Sequence, residues 1–351
     1  MKELLIIIDG MDDEPNPLLG YKTPKDIAYM PGLEHMRNSG ISSMISTIPD
    51  GFKPSTDTAL LNILGCSMLC GNTGRSWFEV IGAGIDVKKD DLCIRCNLVR
   101  LNNNILDSHS ADSLSEKEVS TLIDILNRYY SDEKIRFYKG KGFRAHLVIK
   151  DCKADVEAIP PHELLGKDIS SLEIESSDCV LKSFLNKIIH DAPIIIEENG
   201  FKNIGIALWS ADKMPNIRFN NLNGALISGV NLVKGIGKAL NMRIIDVEGA
   251  TGDSNTNYYG KFQAAINALK SEDFVLIHIE APDEASHNRN PWKKIEILEK
   301  IDKFVLSPLF DLNFNLNIKI QSDHATSSIT GQHLDIPVEK VEYNIIKYHE
   351  S

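Results

Sequence analysis

Leu4-Leu5-Ile6-Ile7-Ile8-Asp9-Gly10 is a continuous apolar run that stops at a carboxylate. Three consecutive isoleucines without polar alternation mark a strand buried on both faces, the kind found inside parallel sheets covered by helices. In such sheets ligands gather at the carboxyl ends of strands, and Asp9 sits there, followed by a glycine that lets the backbone turn. Taken alone, an aspartate in that place is about as often a turn or helix cap.

Working outward, strand-like and helix-like stretches alternate. Residues 25–37 read as helix, with Pro24 suited to the first turn. Residues 41–45 read as strand, 57–69 as helix, and 225–240 as a strand start running into a helix. A short strand over 242–247, a helix over 258–270 and a second buried strand over 274–279 follow. A helix over 295–306 and a strand over 318–321 close the pattern, just before Ser322-Asp323-His324. This alternation predicts an α/β fold with a largely parallel sheet flanked by helices. Between 95 and 221 the texture changes, with Asn102-Asn103-Asn104, a polar run over 107–118, and Lys139-Gly140-Lys141-Gly142. The expected organisation is a core built from 1–94 and 222–351, with a smaller inserted α+β domain over 95–221.

With 351 residues the chain is long enough for such a pair. Its 38 Lys+Arg against 49 Asp+Glu give a net charge of −11, which disfavours nucleic acid or an anionic membrane as partner. No stretch approaches the ~20 apolar residues of a membrane span, and the first apolar run is too short for a signal peptide. Six cysteines include one lone CxxC, Cys93-Ile94-Arg95-Cys96, which reads as two reduced thiols. The expected compartment is the cytoplasm; no feature specifies an oligomeric state.

The chemistry gathers at strand ends. Asp283 and His287 follow the strand over 274–279 and are four apart, so one helical turn places both on one face. Asp323 and His324 follow the strand over 318–321, and His333 comes shortly after. With Asp9, this supplies three aspartates and three histidines, enough for two divalent ions roughly 4 Å apart. The mixed N/O donors favour Mn²⁺ or Zn²⁺, with Mg²⁺ an open third choice. Pro54-Ser55-Thr56-Asp57 precedes an apolar helix. Either Ser55 or Thr56 could be its N-cap, and a hydroxyl there also sits in a positive field suited to a phosphoryl group.

These residues together resemble the archaeal-type cofactor-independent phosphoglycerate mutases, within the alkaline phosphatase superfamily. The resemblance runs through Ile8-Asp9-Gly10-Met11, Pro54-Ser55-Thr56-Asp57, Gly82-Ala83-Gly84-Ile85, Arg95-Cys96-Asn97, Gly249-Ala250-Thr251-Gly252, Asp283-Glu284-Ala285 with His287, Asp323-His324 and His333. It implies an alkaline-phosphatase-like core and interconversion of 3-phosphoglycerate and 2-phosphoglycerate, a small phosphorylated acid. One metal site would comprise Asp283, His287 and His333; the other Asp9, Thr56, Asp323 and His324. Thr56 stands where the family usually has a serine nucleophile, and the inserted domain would hold the substrate. Two departures stand out. Asp112 and Trp209 occupy places where the family tends to carry arginine, leaving Arg95, Arg144, Lys234 and Lys261 as the candidate substrate-binding cations. The alternatives are a related phosphotransferase on another small metabolite, homoserine-kinase-like, and a phosphatase or phosphodiesterase in which water resolves the phosphothreonine.

Overall fold

A computed structural model describes residues 1–67 and 73–347. Residues 1–73 and 216–351 form one unit and 74–215 a second. In the first unit the run around Ile6 becomes β1 (Lys2–Ile8), with Leu4, Ile6, Ile7 and Ile8 fully buried. It is joined by β2 (Ile41–Ile45), β3 (Ala225–Ile227), β4 (Arg243–Ile244), β5 (Phe274–Ile279), β6 (Leu316–Gln321) and β7 (Val338–Ile345) in the order β4-β3-β5-β1-β6-β7-β2. The five strands from β4 to β6 run parallel; β7 alone runs against them, and β2, antiparallel to β7, runs with them again. β1 thus lies between two parallel partners, which is why its apolar run needs no polar face.

The elements follow the expected pattern with three differences. Residues 25–37 are two helices, Pro24–Ile27 and Pro31–Ser39. Pro31 disfavours helical geometry at Met30, whose φ and ψ are −124° and 65°, and the second helix starts afresh on the Asp302 carboxylate, which accepts from Gly32 and Leu33 N–H at 3.0 and 2.8 Å. The helix expected over 57–69 is α1 (Thr56–Ile63); Leu69, like Cys70, lies outside the described residues. β7 is an additional strand, inserted antiparallel between β6 and β2.

The second unit has its own core around a long strand, Leu92–Asn102, paired antiparallel with Arg144–Ile149 on one edge and Ile204–Asp212 on the other. Helices Glu116–Tyr130 and Cys179–Glu198 pack in this unit. Its boundaries fall at 73/74 and 215/216, where the sequence pattern placed them at 94/95 and 221/222. The shift arises because helix Arg75–Gly82 packs on Leu92–Asn102 and Ile204–Asp212, tied by a bond of 2.8 Å from Ser76 N–H to the Asp212 carboxylate. Cys93 and Cys96 are buried in this strand, and burial pushes both thiols well above their ordinary range, which disfavours the reactive thiolate form. Among the described residues, no helix is long and apolar enough to cross a membrane.

β7 is fastened by Glu339, which accepts from Arg37 Nε at 2.7 Å, Lys25 Nζ at 3.1 Å and Ser42 Oγ at 2.8 Å. Burial works to raise this carboxyl, but the Arg37 hydrogen bond, the Lys25 and Arg37 charges and the Ser42 bond prevail and hold it down to about 2. An unfolded glutamate titrates near 4.3, so the stabilisation is complete above that value and is lost as pH falls toward 2. Glu339→Gln is expected to lower unfolding stability by on the order of 3 kcal/mol at pH 7. Its deficit against wild type should shrink between about pH 4.5 and 2. Denaturant unfolding of both proteins across that range checks this; a pH-independent deficit would remove the carboxylate as its source.

Candidate metal centre

The register of the sheet builds the centre. Ile7 lies level with His278 on β5 and with Gln321 on β6, so the three strands end together. Asp9 follows β1, its N–H donating to Ile279 O at 2.9 Å. Gly10 then turns with φ +62°; a Cβ there would lie 2.8 Å from Asp283 Cα and 2.9 Å from Thr326 Oγ1. The glycine is required both by the left-handed backbone and by that close approach.

Beyond β5, α2 (Ala281–His287) presents Asp283 and His287 on one face, with Oδ2 to Nε2 at 3.0 Å. Beyond β6, Ala325–Thr326 and His333–Leu334 pair as a short antiparallel ribbon, which returns His333 beside His324 with the rings stacked 3.9 Å apart. Asp9, Asp283, Asp323 and His324 are all buried.

Hydrogen bonding fixes which imidazole nitrogens face the centre. His287 Nδ1 donates to Gly331 O at 2.8 Å and His333 Nδ1 to Pro54 O at 3.0 Å. The Thr326 hydroxyl donates to Asp283 Oδ1 at 2.6 Å, so it accepts from His324 Nδ1 at 3.2 Å. In their neutral forms all three rings turn a bare Nε2 inward. Two of these, on His287 and His333, stand 3.2 Å apart. Facing lone pairs at that distance need a cation or proton between them.

The carboxylates make the same demand. Burial raises the Asp9 carboxyl well above its ordinary range, and the charges of Asp323, Asp283 and Glu280 raise it further. Burial also acts to raise Asp283, but the His287 hydrogen bond and the charges of His287, His324 and His333 outweigh it and hold that carboxyl low. The Asp283 bond raises the His287 imidazole, while burial and the His324 charge lower His333. Asp9 Oδ1 and Asp323 Oδ2 have no hydrogen-bond partner. Three sets have ligand atoms within 4.8 Å of one another: Asp283 with His287 and His333; Asp9 with Asp283 and His324; Asp9 with His278 and Asp323. Buried, unpartnered oxygens alternating with bare imidazole nitrogens fit divalent cations.

Thr56 opens α1, and Ser55 occupies the N-cap position without capping; its hydroxyl donates to Thr58 Oγ1 at 2.9 Å. Thr56 is buried, with Oγ1 3.5 Å from His324 Nε2. The structure therefore brings Asp9, Thr56, Asp283, His287, Asp323, His324 and His333 together. Lys261 is buried beneath them, donating to Thr251 O at 3.2 Å and His278 O at 3.3 Å. Lys234 is paired with exposed Asp246 at 2.6 Å. Arg95 and Arg144 belong to the second unit. Arg95 Nε holds Glu79 at 3.0 Å and its guanidinium lies 3.9 Å over the Trp209 ring, whereas Arg144 is exposed.

A profile for 2,3-bisphosphoglycerate-independent phosphoglycerate mutase matches residues 38–199. The protein of that name from Methanosarcina mazei is 33% identical over 96% of this chain and 89% of its own length. This chain belongs to the 2,3-bisphosphoglycerate-independent phosphoglycerate mutase family. The Methanosarcina barkeri phosphoglycerate mutase is 34% identical, covering 99% of this chain and 91% of its own. A solved structure of a Pyrococcus horikoshii protein matches with a TM-score of 0.78 at 25% identity, over 97% of this chain and 87% of its own. The cofactor-independent phosphoglycerate mutase of Thermoplasma acidophilum shares the fold, with a TM-score of 0.62 at 24% identity over 98% and 90% of the two chains.

Within this phosphoglycerate mutase family framework, sequence reasoning passed over His278, Thr326 and Lys294. His278 was visible as the lone polar residue in the buried run Phe274–Ile279. Lys294, on α3 (Pro291–Ile301), is fully buried and binds the Asp13 carboxylate at 2.8 Å and Thr326 O at 2.9 Å, clamping the segment after Asp9 to the ribbon that carries His333. Nothing in local spacing announces that pair. Thr326→Val, equal in shape but without a hydroxyl, is expected to remove the hydroxyl that bonds Asp283 Oδ1 and His324 Nδ1 and to weaken metal binding by about 10–100-fold. Chelator competition measures this; unchanged affinity would remove Thr326 from the support of the centre.

Proposed function

We propose that this protein interconverts 3-phosphoglycerate and 2-phosphoglycerate through a phosphothreonine on Thr56. The observation that carries this reading is the Thr56 hydroxyl, on the first residue of α1 and 3.5 Å from His324 Nε2 in a cluster of buried carboxylates and imidazoles. Family membership supplies the substrate class. The ligand assignment is Asp283, His287 and His333 for one ion, and Asp9, Thr56, Asp323 and His324 for the other. Divalent ions held there, Mn²⁺ or Zn²⁺ by donor type, would lower the hydroxyl pKa and offset phosphate charge.

In this reading Thr56 Oγ1 loses its proton and attacks phosphorus in line. The bond from phosphorus to the glycerate oxygen breaks, and that oxygen takes up a proton. The N-terminal N–H groups of α1 favour the phosphoryl group once it is on Thr56. The neighbouring glycerate hydroxyl then attacks the phosphothreonine, gives up its proton and restores Thr56. The exchange is balanced and needs no donor. Holding the free glycerate falls to the inserted unit, with Arg144 as its cation, since Arg95 is engaged by Glu79 and Trp209. That engagement favours one second reading: the same transfer on a different small phosphate ester.

Thr56→Ala is expected to lower turnover of 3-phosphoglycerate by several orders of magnitude with the circular dichroism unchanged. Near-normal turnover would refute Thr56 as nucleophile. Asp323→Asn is expected to reduce bound metal by one ion per chain, read by elemental analysis. Full stoichiometry would take Asp323 off the ligand set. A metal-loaded wild type without mutase turnover would select the second reading, tested against a panel of phosphate esters.

A further inference from the structure

Residues level with each other in parallel strands point to the same face, and so do residues two apart on one strand. His278 is level with Ile7 on β1, which is level with Gln321 on β6. Asp9 lies two beyond Ile7 and Asp323 two beyond Gln321. The pleat therefore aims the His278 imidazole at the face that carries both carboxylates.

His278 is fully buried, and among the described residues neither of its ring nitrogens has a hydrogen-bond partner. The other three imidazoles of the centre each have Nδ1 engaged. A buried imidazole with both nitrogens unpaired loses its hydration without replacement, so this ring has an unmet need. Its Nε2 lies 3.4 Å from Asp9 Oδ2, and Asp9 Oδ1 and Asp323 Oδ2 are likewise without partners. Donor atoms of Asp9, His278 and Asp323 fall within 4.8 Å of one another. Ligands bound at about 2.0–2.2 Å to one ion stand roughly 3 to 4 Å apart, so these three are spaced to share an ion with little movement.

We propose that His278 Nε2 is a direct ligand of the ion held by Asp9 and Asp323. This rests on the two-ion reading above and adds a nitrogen donor that neither the sequence pattern nor that ligand set includes. The ring comes from within a strand paired on both edges, whereas His287 and His333 come from a short helix and a ribbon. The added imidazole also shifts the site toward Mn²⁺ or Zn²⁺ and away from Mg²⁺.

The test titrates metal-free wild type, His278→Gln and His278→Leu with Mn²⁺ alone, following free Mn²⁺ by electron paramagnetic resonance. Visible spectra of the Co²⁺-loaded proteins are recorded alongside. Wild type should take up two ions per chain. Each variant should hold one ion as wild type does and the other about 10–100-fold more weakly, with altered Co²⁺ bands. Two ions at wild-type affinity and an unchanged Co²⁺ spectrum would overturn the proposal. Fewer than two ions in wild type would defeat the two-ion reading itself, and the proposal with it, before any variant is considered. A readout free of folding effects is the anomalous density of Mn²⁺-soaked wild-type crystals. An ion within about 2.4 Å of His278 Nε2 supports the assignment, and one beyond about 3 Å overturns it.

Discussion

Repulsion among buried carboxylates is the constraint around which this structure is organised. Parallel register places Asp9 and Asp323 side by side at the ends of β1 and β6, and α2 adds Asp283. Water cannot screen these charges, because all three residues are buried. Such a grouping persists only where positive charge is supplied, and the hydrogen bonds around it are arranged to that end. Carbonyls and the Thr326 hydroxyl take the Nδ1 protons of three histidines, so the inner nitrogens are left as donors of electron pairs. Gly10 yields the space that allows Asp283 to come close.

Around this grouping lies a layer of ordinary ion pairs that secures it. Lys294 joins Asp13 to the backbone of Thr326 beneath the centre, and Glu339 gathers Lys25, Arg37 and Ser42 at the antiparallel margin of the sheet. Apart from Lys294 with Thr326, 32 apart, these contacts connect residues roughly 300 positions apart in sequence, and so tie together distant parts of the chain. The second unit keeps a separate hydrophobic core, with no residue shared with the first.

Much of this was legible in the residues alone, because burial on both faces leaves a plain signature. The run before Asp323 alternates apolar residues with Asn317, Lys319 and Gln321, whereas the runs before Asp9 and Asp283 could be read as buried strands with ligands beyond their ends, since nothing polar interrupts Leu4–Ile8 or Phe274–Ile279 except His278. That exception was the signal overlooked: one imidazole among apolar neighbours, on the same alternation as the carboxylates. β7 escaped for the opposite reason. Its sequence, Val338-Glu339-Lys340-Val341-Glu342-Tyr343, mixes charge with apolar residues: Lys340 and Glu342 pair with each other, but Glu339 is met by Lys25 and Arg37 from a remote segment, and no local pattern records those partners. The break at Met30 and the commitment of Arg95 to Glu79 and Trp209 are likewise tertiary facts, and the unit boundary near residue 74 depends on where one short helix packs.

The long separation between β1 and its partners has a bearing on how the chain is made. Leu4–Ile8 leaves the ribosome early, yet its two neighbours in the sheet are Phe274–Ile279 and Leu316–Gln321. At roughly 5–20 residues per second, the first strand waits on the order of 15–60 s for both of them. In that interval the second unit has its own core to fold around, while a five-residue aliphatic segment still lacks both of its strand partners. Biosynthesis therefore leaves the central strand of the sheet unpaired on both edges until the last two parallel strands emerge, a period of exposure to aggregation.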